Sequence, residues 1–281
     1  MNFIIGFLPL FIIIVYTFII VLILLRKEEV VENLELDENR WIEKYFDKVV
    51  VITLPDRKNN VKTVMKNLKI KPTIFKAIKK DNLDLEKLKN NGVITKDCNL
   101  NKGRIACHLS HLSVIREFLN DPNSDRILIF EDDLLDNKGD NLLSVQNTIK
   151  NLMNNIPSDW DFIYFGKCWD LCDKAIKIND YVNKSYPLCR HAYGVSKEGA
   201  SKLIKYSLPI LNKPGDEHIR DLSKKGKLNI YTPTNNIFEQ NRDKFGSNLG
   251  NHNKLMLCSR NPSLVPEKKI EPLAKNDEGV I

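Results

Sequence analysis

Three consecutive carboxylates, Glu131, Asp132 and Asp133, close the β-favouring apolar run ILIF and stand before Leu134 and Leu135. Adjacent anions at the end of a buried strand repel one another unless something answers their charge. On an extended backbone Glu131 and Asp133 share a face and Asp132 opposes them. A divalent cation resolves the repulsion. Oxygen ligands suit Mn²⁺ or Mg²⁺, which commonly share their coordination with phosphate oxygens. The plainer alternative is a polar turn in which an Asp caps the next helix. Three carboxylates exceed what one cap needs, so a metal–diphosphate site is the favoured reading. A cation there neutralises a diphosphate as it departs, and transfer to an acceptor hydroxyl then needs a base and good positioning.

Other residues invite chemistry too. Cys107, His108 and His111 sit close together on one helical stretch, but they lack the H-E-x-x-H arrangement, and zinc catalysis is not expected. Asp216 and Glu217 follow Gly215. They read either as acceptor-side bases or, for Asp216, as a helix cap. Six cysteines occur, three of them near one another (Cys168, Cys172 and Cys189). Two of these three could bridge in an oxidising lumen. None shows the paired C-x-x-C knuckles of structural zinc. Asn183-Lys184-Ser185 is a glycosylation sequon, usable only on a lumenal face.

The elements that must hold these residues alternate. VVVITL (49–54), TIFKAI (73–78), RILIFED, DWDFIYFG, HAYGVS and KLNIYT read as strands. Helical spacing follows at Val61, Val64, Met65 and Leu68, then in a short segment closed by Gly92. It returns over 102–119, 141–156, KEGASKLIKYSL and DEHIRDLSKKG. This alternation predicts an α/β sandwich with a largely parallel central sheet and a ligand beyond the carboxyl ends of its strands. Residues 3–25 carry no charge and are long enough to cross a bilayer as a helix. The segmentation expected is a signal-anchor at 1–25, a stem at 26–46, a catalytic domain at 47–250 and an irregular tail at 251–281. Arg26 and Lys27 against an empty N-terminal flank favour a cytoplasmic catalytic part. The chain has 281 residues, is 42% hydrophobic and has a formal charge of +7. Its lysines are dispersed, so no nucleic-acid stripe is expected.

Several stretches in order resemble glycosyltransferase family 25, which includes lipooligosaccharide and procollagen galactosyltransferases. These are VVVITLPDR, GRIACHLSH, LIFEDD, DWDFIYFG, HAYGVSKEGASKLI, KPGDEHI and IFEQNRDKFGSNLG. Departures occur within them: Thr53 stands for an Asn, Ala106 for a Gly, and Asn60 near the place of a second Arg. The resemblance implies a GT-A-type nucleotide-sugar-binding fold, a UDP-sugar donor and Mn²⁺ or Mg²⁺ on Glu131, Asp132 and Asp133. It implies inverting transfer of a hexose, galactose or glucose, by direct displacement to a hydroxyl of a protein, with hydroxylysine one option, or of a glycan. Thr53, Leu54, Arg57, Ser110, His111, Tyr193, Ser196, Gln240 and Ser247 become donor-pocket candidates, with Asp216 and Glu217 as bases. It also favours a catalytic domain in the ER or Golgi lumen. The competing readings are a glycan-binding relative without catalysis and a metal-dependent phosphotransferase or phosphohydrolase.

Overall fold

The computed structural model describes residues 19–23, 26, 40–135 and 142–245. The chain divides into two compact units, Met1–Lys44 and Tyr45–Ile281. In the first, residues 19–23 are helical, and one 3₁₀ turn spans Trp41–Lys44. The anchor expectation is corrected here: among the described residues no helix is long and apolar enough to cross a membrane. The single-pass assignment, and the lumenal placement that depended on it, are withdrawn. Most of the 1–25 run, most of the 26–46 stem and the whole 251–281 tail lie outside the described residues.

The second unit is built on one eight-stranded sheet. The strands are β1 (Lys48–Thr53), β2 (Thr73–Lys76), β3 (Arg126–Glu131), β4 (Phe162–Gly166), β5 (Ile176–Lys177), β6 (Val182–Lys184), β7 (Ala192–Ser196) and β8 (Ile230–Pro233). Their order is β2-β1-β3-β7-β4-β8-β6-β5. The sheet is mixed and not largely parallel. β1 is parallel to β2 and β3, and β4 to β8, but β7 runs antiparallel between β3 and β4, and β6 runs antiparallel to β8 and β5. Every residue of β4 and β8 is buried, and four of five in β7. A strand covered on both faces reads as a continuous apolar run whichever way it points.

Helices α1 (Lys58–Asn67), α2 (Leu85–Asn90), α3 (Lys102–Leu119), α4 (Leu142–Asn155), α5 (Lys197–Ser207) and α6 (Gly215–Lys224) lie between strands, and α7 (Arg242–Phe245) follows β8. Alternate strand residues serve the two faces. Ile52, Ile127, Ile129, Tyr164 and Val195 join Ile105, Leu112 and Ile115 of α3, with Leu203 of α5 and Ile219 of α6, in the main core. Phe130 meets Phe238 edge-on at 5.4 Å between ring centroids, and Phe46 meets Phe165 at 5.8 Å. Caps set the helix starts. Asn101 accepts from the Arg104 N–H at 2.9 Å to begin α3, and Ser196 accepts from the Gly199 N–H at 3.0 Å to begin α5.

Cys168 and Cys189 form a disulfide that ties the chain leaving β4 to the chain entering β7. Beside it lies a buried ion pair, Lys167 Nζ to Asp170 Oδ2 at 2.7 Å, with Thr232 Oγ1 accepting from the same ammonium at 3.2 Å. Asp170 also accepts from Ser185 Oγ and, at 3.0 Å, from the Tyr186 N–H. The sequon asparagine sits on β6 and is only 6% exposed. In the folded chain the Asn183 side chain is therefore not at the surface.

Candidate active site

The carboxyl ends of β1 and β3, the loop after β2 and the start of α3 enclose a cavity of about 460 Å³. Ile129 of β3 belongs to the core that contains α3, so Glu131, two residues on, turns the same way and meets that helix. Its Oε1 lies 2.8 Å from His111 Nε2, and His111 Nδ1 lies 2.8 Å from Tyr193 Oη. Burial holds the His111 pKa well below its usual value, and the Arg190 charge adds to this. The ring is therefore neutral at physiological pH. We assign the proton to Nε2, donating to Glu131, so that Tyr193 O–H donates to Nδ1. Burial raises the Glu131 pKa, and Arg190 opposes the rise.

β3 ends at Glu131. The strand alternation consequently stops before the next two carboxylates, and Asp133 does not follow Glu131 to α3. Asp132 turns to the chain leaving β1. Its Oδ2 accepts from the Leu54 N–H at 2.8 Å and its Oδ1 from Arg57 Nη1 at 3.1 Å. Asn60 Nδ2 donates to the carbonyls of Asp132 and Leu134, both at 3.0 Å. Asp133 Oδ2 accepts from Gln240 Nε2 at 2.9 Å, whereas its Oδ1 is buried with no hydrogen-bond partner among the described residues. Burial pushes the Asp133 pKa up to about 7. The charges of Glu131 and Asp132 add to the rise, and Arg57 and the Gln240 bond resist it.

Beneath the cavity wall lies a buried basic centre. Arg190 Nη1 stands 3.3 Å from His108 Nδ1, and Nη2 stands 3.9 Å from Cys107 Sγ. Burial works against the Arg190 charge, yet Cys107, Tyr193 and Asp216 around it raise its pKa above the ordinary guanidinium value. Burial pushes the Cys107 thiol up to about 12, with Glu131 and Asp216 adding to it. Gly215 is required at its position: a Cβ there would fall 2.2 Å from His108 Nδ1 and 2.7 Å from Arg190 Nη2.

A cavity at a sheet's carboxyl edge, with one unanswered carboxylate oxygen and basic groups at its rim, fits an anionic ligand brought with a cation. Comparison with known proteins narrows the class. The family model described as glycosyltransferase family 25 (LPS biosynthesis protein) matches residues 46–219. The chain belongs to glycosyltransferase family 25. It is also similar to human procollagen galactosyltransferase 2, at 27% identity over 177 residues. That match covers 57% of this chain and 27% of the relative, so the chain spans about a quarter of that curated relative's length.

In this family 25 chain the expected pocket residues are distributed unevenly. Leu54, Arg57, Ser110, His111, Glu131, Asp132, Asp133 and Gln240 all line the cavity. Ser110 Oγ accepts from the Ile78 N–H at 2.9 Å and donates to the Ala106 carbonyl at 2.8 Å, fixing the loop after β2 to α3. Thr53 is buried behind the wall, its hydroxyl donating to the Leu54 carbonyl at 2.9 Å. Tyr193 is fully buried and reaches the wall through His111. Ser196 stands at the opposite end of the sheet, paired with Arg126 at the start of β3, because β7 runs antiparallel. There it caps α5. Asp216 and Glu217 do not line the cavity. Asp216 accepts from the Cys189 N–H at 3.1 Å and the Glu217 N–H at 3.0 Å, and its charge bears on Glu131, Cys107 and His111. Ser247 lies outside the described residues.

Sequence reasoning missed Arg190, Arg242, Lys79 and Lys80. Arg242, Lys79 and Lys80 line the cavity, and Arg190 is buried below it. A lone Arg before a strand carries no periodic signal. The lysines looked like two among many.

Proposed function

We propose that this glycosyltransferase draws a hexose, galactose or glucose, from a UDP-sugar held in the cavity beyond β1 and β3, with a divalent cation at Asp133. The acceptor is a hydroxyl on a protein, hydroxylysine being one option, or on a glycan. The observation that carries the reading is the Oδ1 of Asp133, a cavity-lining residue, which is buried without a hydrogen-bond partner among the described residues. The three carboxylates are not equivalent in what they have left to give. Asp132 has both oxygens engaged, and Glu131 is bonded to His111. Asp133 retains a hard oxygen donor, which fits Mn²⁺ or Mg²⁺. A cation bound there supplies charge neutralisation for a departing diphosphate.

The remaining work falls to the chain's own groups. Arg57 and Arg242 stand at the rim as planar donors suited to phosphate oxygens. The sheet order, with the cavity beyond β1 and β3, supports a GT-A-type arrangement for the described part of the proposed catalytic domain, 47–250. Transfer then proceeds with inversion. The acceptor oxygen attacks the anomeric carbon, the bond to the diphosphate breaks, and the hydroxyl proton passes to a carboxylate at the cavity wall rather than to Asp216 or Glu217, which lie outside it.

The test uses the purified full chain with individual UDP-sugars, with Mn²⁺ or EDTA, and with a panel of hydroxyl acceptors that includes a hydroxylysine peptide. The expected result is UDP release and sugar transfer from one donor, abolished by EDTA and by Asp133→Asn. Free phosphate without sugar transfer, or turnover indifferent to both EDTA and Asp133→Asn, would overturn the reading.

A further inference from the structure

One cluster on the cavity wall is chemically distinct from the hard-oxygen site at Asp133. Cys107 Sγ, a ring nitrogen of His111 and a Glu131 oxygen all lie within 4.8 Å of one another. α3 places Cys107 and His111 four residues apart, one helical turn, on the face turned to β3, and β3 ends by delivering Glu131 between them. We propose that these three side chains form a binding site for a thiophilic divalent cation of the Zn²⁺ class, separate from any Mn²⁺ or Mg²⁺ at Asp133.

The donor set is the first reason. One thiolate, one imidazole and one carboxylate make the three-ligand set of an open zinc site, whereas Mn²⁺ and Mg²⁺ prefer oxygen alone. Spacing is the second. Zinc–ligand bonds of about 2.0–2.3 Å in a tetrahedron put neighbouring donor atoms about 3.5 Å apart. The present 2.8 Å between His111 and Glu131, and the 4.8 Å limit on the set, bracket that value. The third reason is the support behind the histidine. Tyr193 Oη holds His111 Nδ1 at 2.8 Å, the outer contact that fixes a ligating imidazole with Nε2 aimed at the metal. All three residues line the cavity, so the fourth position faces it and takes water or a ligand oxygen.

The protons balance. As the Zn–S bond forms, the Cys107 S–H bond breaks and its proton leaves to solvent. His111 changes tautomer and stays neutral: its Nε2 proton leaves to solvent and solvent returns one to Nδ1, while the Tyr193 hydroxyl keeps its own proton and turns to accept from Nδ1–H. Glu131 exchanges the His111 N–H for the cation. Arg190 opposes a cation here, with Nη2 3.9 Å from Cys107 Sγ. Its charge is matched by Asp216, which bears on the same group. The thiolate and the Glu131 carboxylate then match the 2+ of the metal.

The experiment titrates the full chain with Zn²⁺ and, as a spectroscopic probe, with Co²⁺, in the absence of donor. One equivalent should bind with thiolate-to-cobalt charge-transfer absorption. That absorption should vanish in Cys107→Ser, Glu131→Gln should weaken binding by about tenfold or more, and Asp133→Asn should leave the band in place. A parallel measurement in the unmutated chain follows alkylation of Cys107 by mass spectrometry, with Zn²⁺ expected to protect it and Mg²⁺ not. This arm stands even if a variant fails to fold. No thiolate–cobalt band, a band that survives Cys107→Ser, loss of the band in folded Asp133→Asn, or unprotected Cys107 in the presence of Zn²⁺ would each overturn the assignment.

Discussion

Asp133→Asn should make the protein more stable while removing its activity. A carboxylate whose pKa rises from 3.8 to about 7 on folding is held more tightly protonated in the folded state. Its ionisation therefore opposes folding. That opposition is absent below about pH 4, where folded and unfolded chains both carry the proton. It grows between about pH 4 and pH 7 and is constant above. At about 1.36 kcal/mol for each pH unit between the two values, the ceiling is about 4 kcal/mol. Water reaching the cavity screens part of this, so the expected gain at pH 8 is about 1–3 kcal/mol. Asparagine keeps the shape and can still accept from Gln240. The assay is urea denaturation of both proteins in EDTA, at pH 8 and again near pH 4, where the difference should disappear. Adding Mn²⁺ at pH 8 should raise the midpoint of the unmutated protein and leave the variant unmoved. A variant less stable than its parent at pH 8 would refute the idea that Asp133 is an unanswered charge.

Asp132→Ala should behave oppositely, losing about 2–4 kcal/mol in denaturant melts because the Leu54 N–H and Arg57 lose a partner that is 10% exposed. Asp170→Ala strands a fully buried Lys167 ammonium and should cost about 3–5 kcal/mol, read the same way. Cys168→Ser opens a closure spanning 21 residues and should cost about 3 kcal/mol, a difference that reductant should abolish. Gly215→Ala should lower the thermal midpoint by an amount corresponding to about 1–3 kcal/mol, because its Cβ meets His108 and Arg190 side chains that have no room to retreat.

The strands that carry the site were legible because burial on both faces writes them as apolar runs: VVVIT, RILIF, FIYF and AYGV all appear where the sequence places them. The direction of β7 was not legible, since such runs look alike forwards and backwards. That single reversal moved Ser196 to the far end of the sheet. The short strands β5 and β6 were missed altogether, having two and three residues and no period to show. In the site, the triplet was legible as a concentration of charge. Its internal division was not, because it depends on a Leu54 amide 78 positions away and a Gln240 amide 107 positions away.

That division explains how three adjacent anions coexist at the end of a buried strand. The fold answers two of them itself. Glu131 is met by His111, while the Arg190 charge opposes the rise that burial gives its pKa, and Asp132 is met by Arg57 and a backbone amide. Had stability alone shaped the turn, the third would be answered too, or replaced by a neutral side chain, since a buried oxygen without a partner costs about 1–3 kcal/mol. Asp133 instead keeps one oxygen uncommitted while Gln240 and the Asn241 N–H, which donates to its carbonyl at 2.6 Å, hold it in place. A residue fixed on one side and unsatisfied on the other is arranged for a partner that arrives from outside the chain. On the proposed function, a cation brought by a diphosphate would supply that charge.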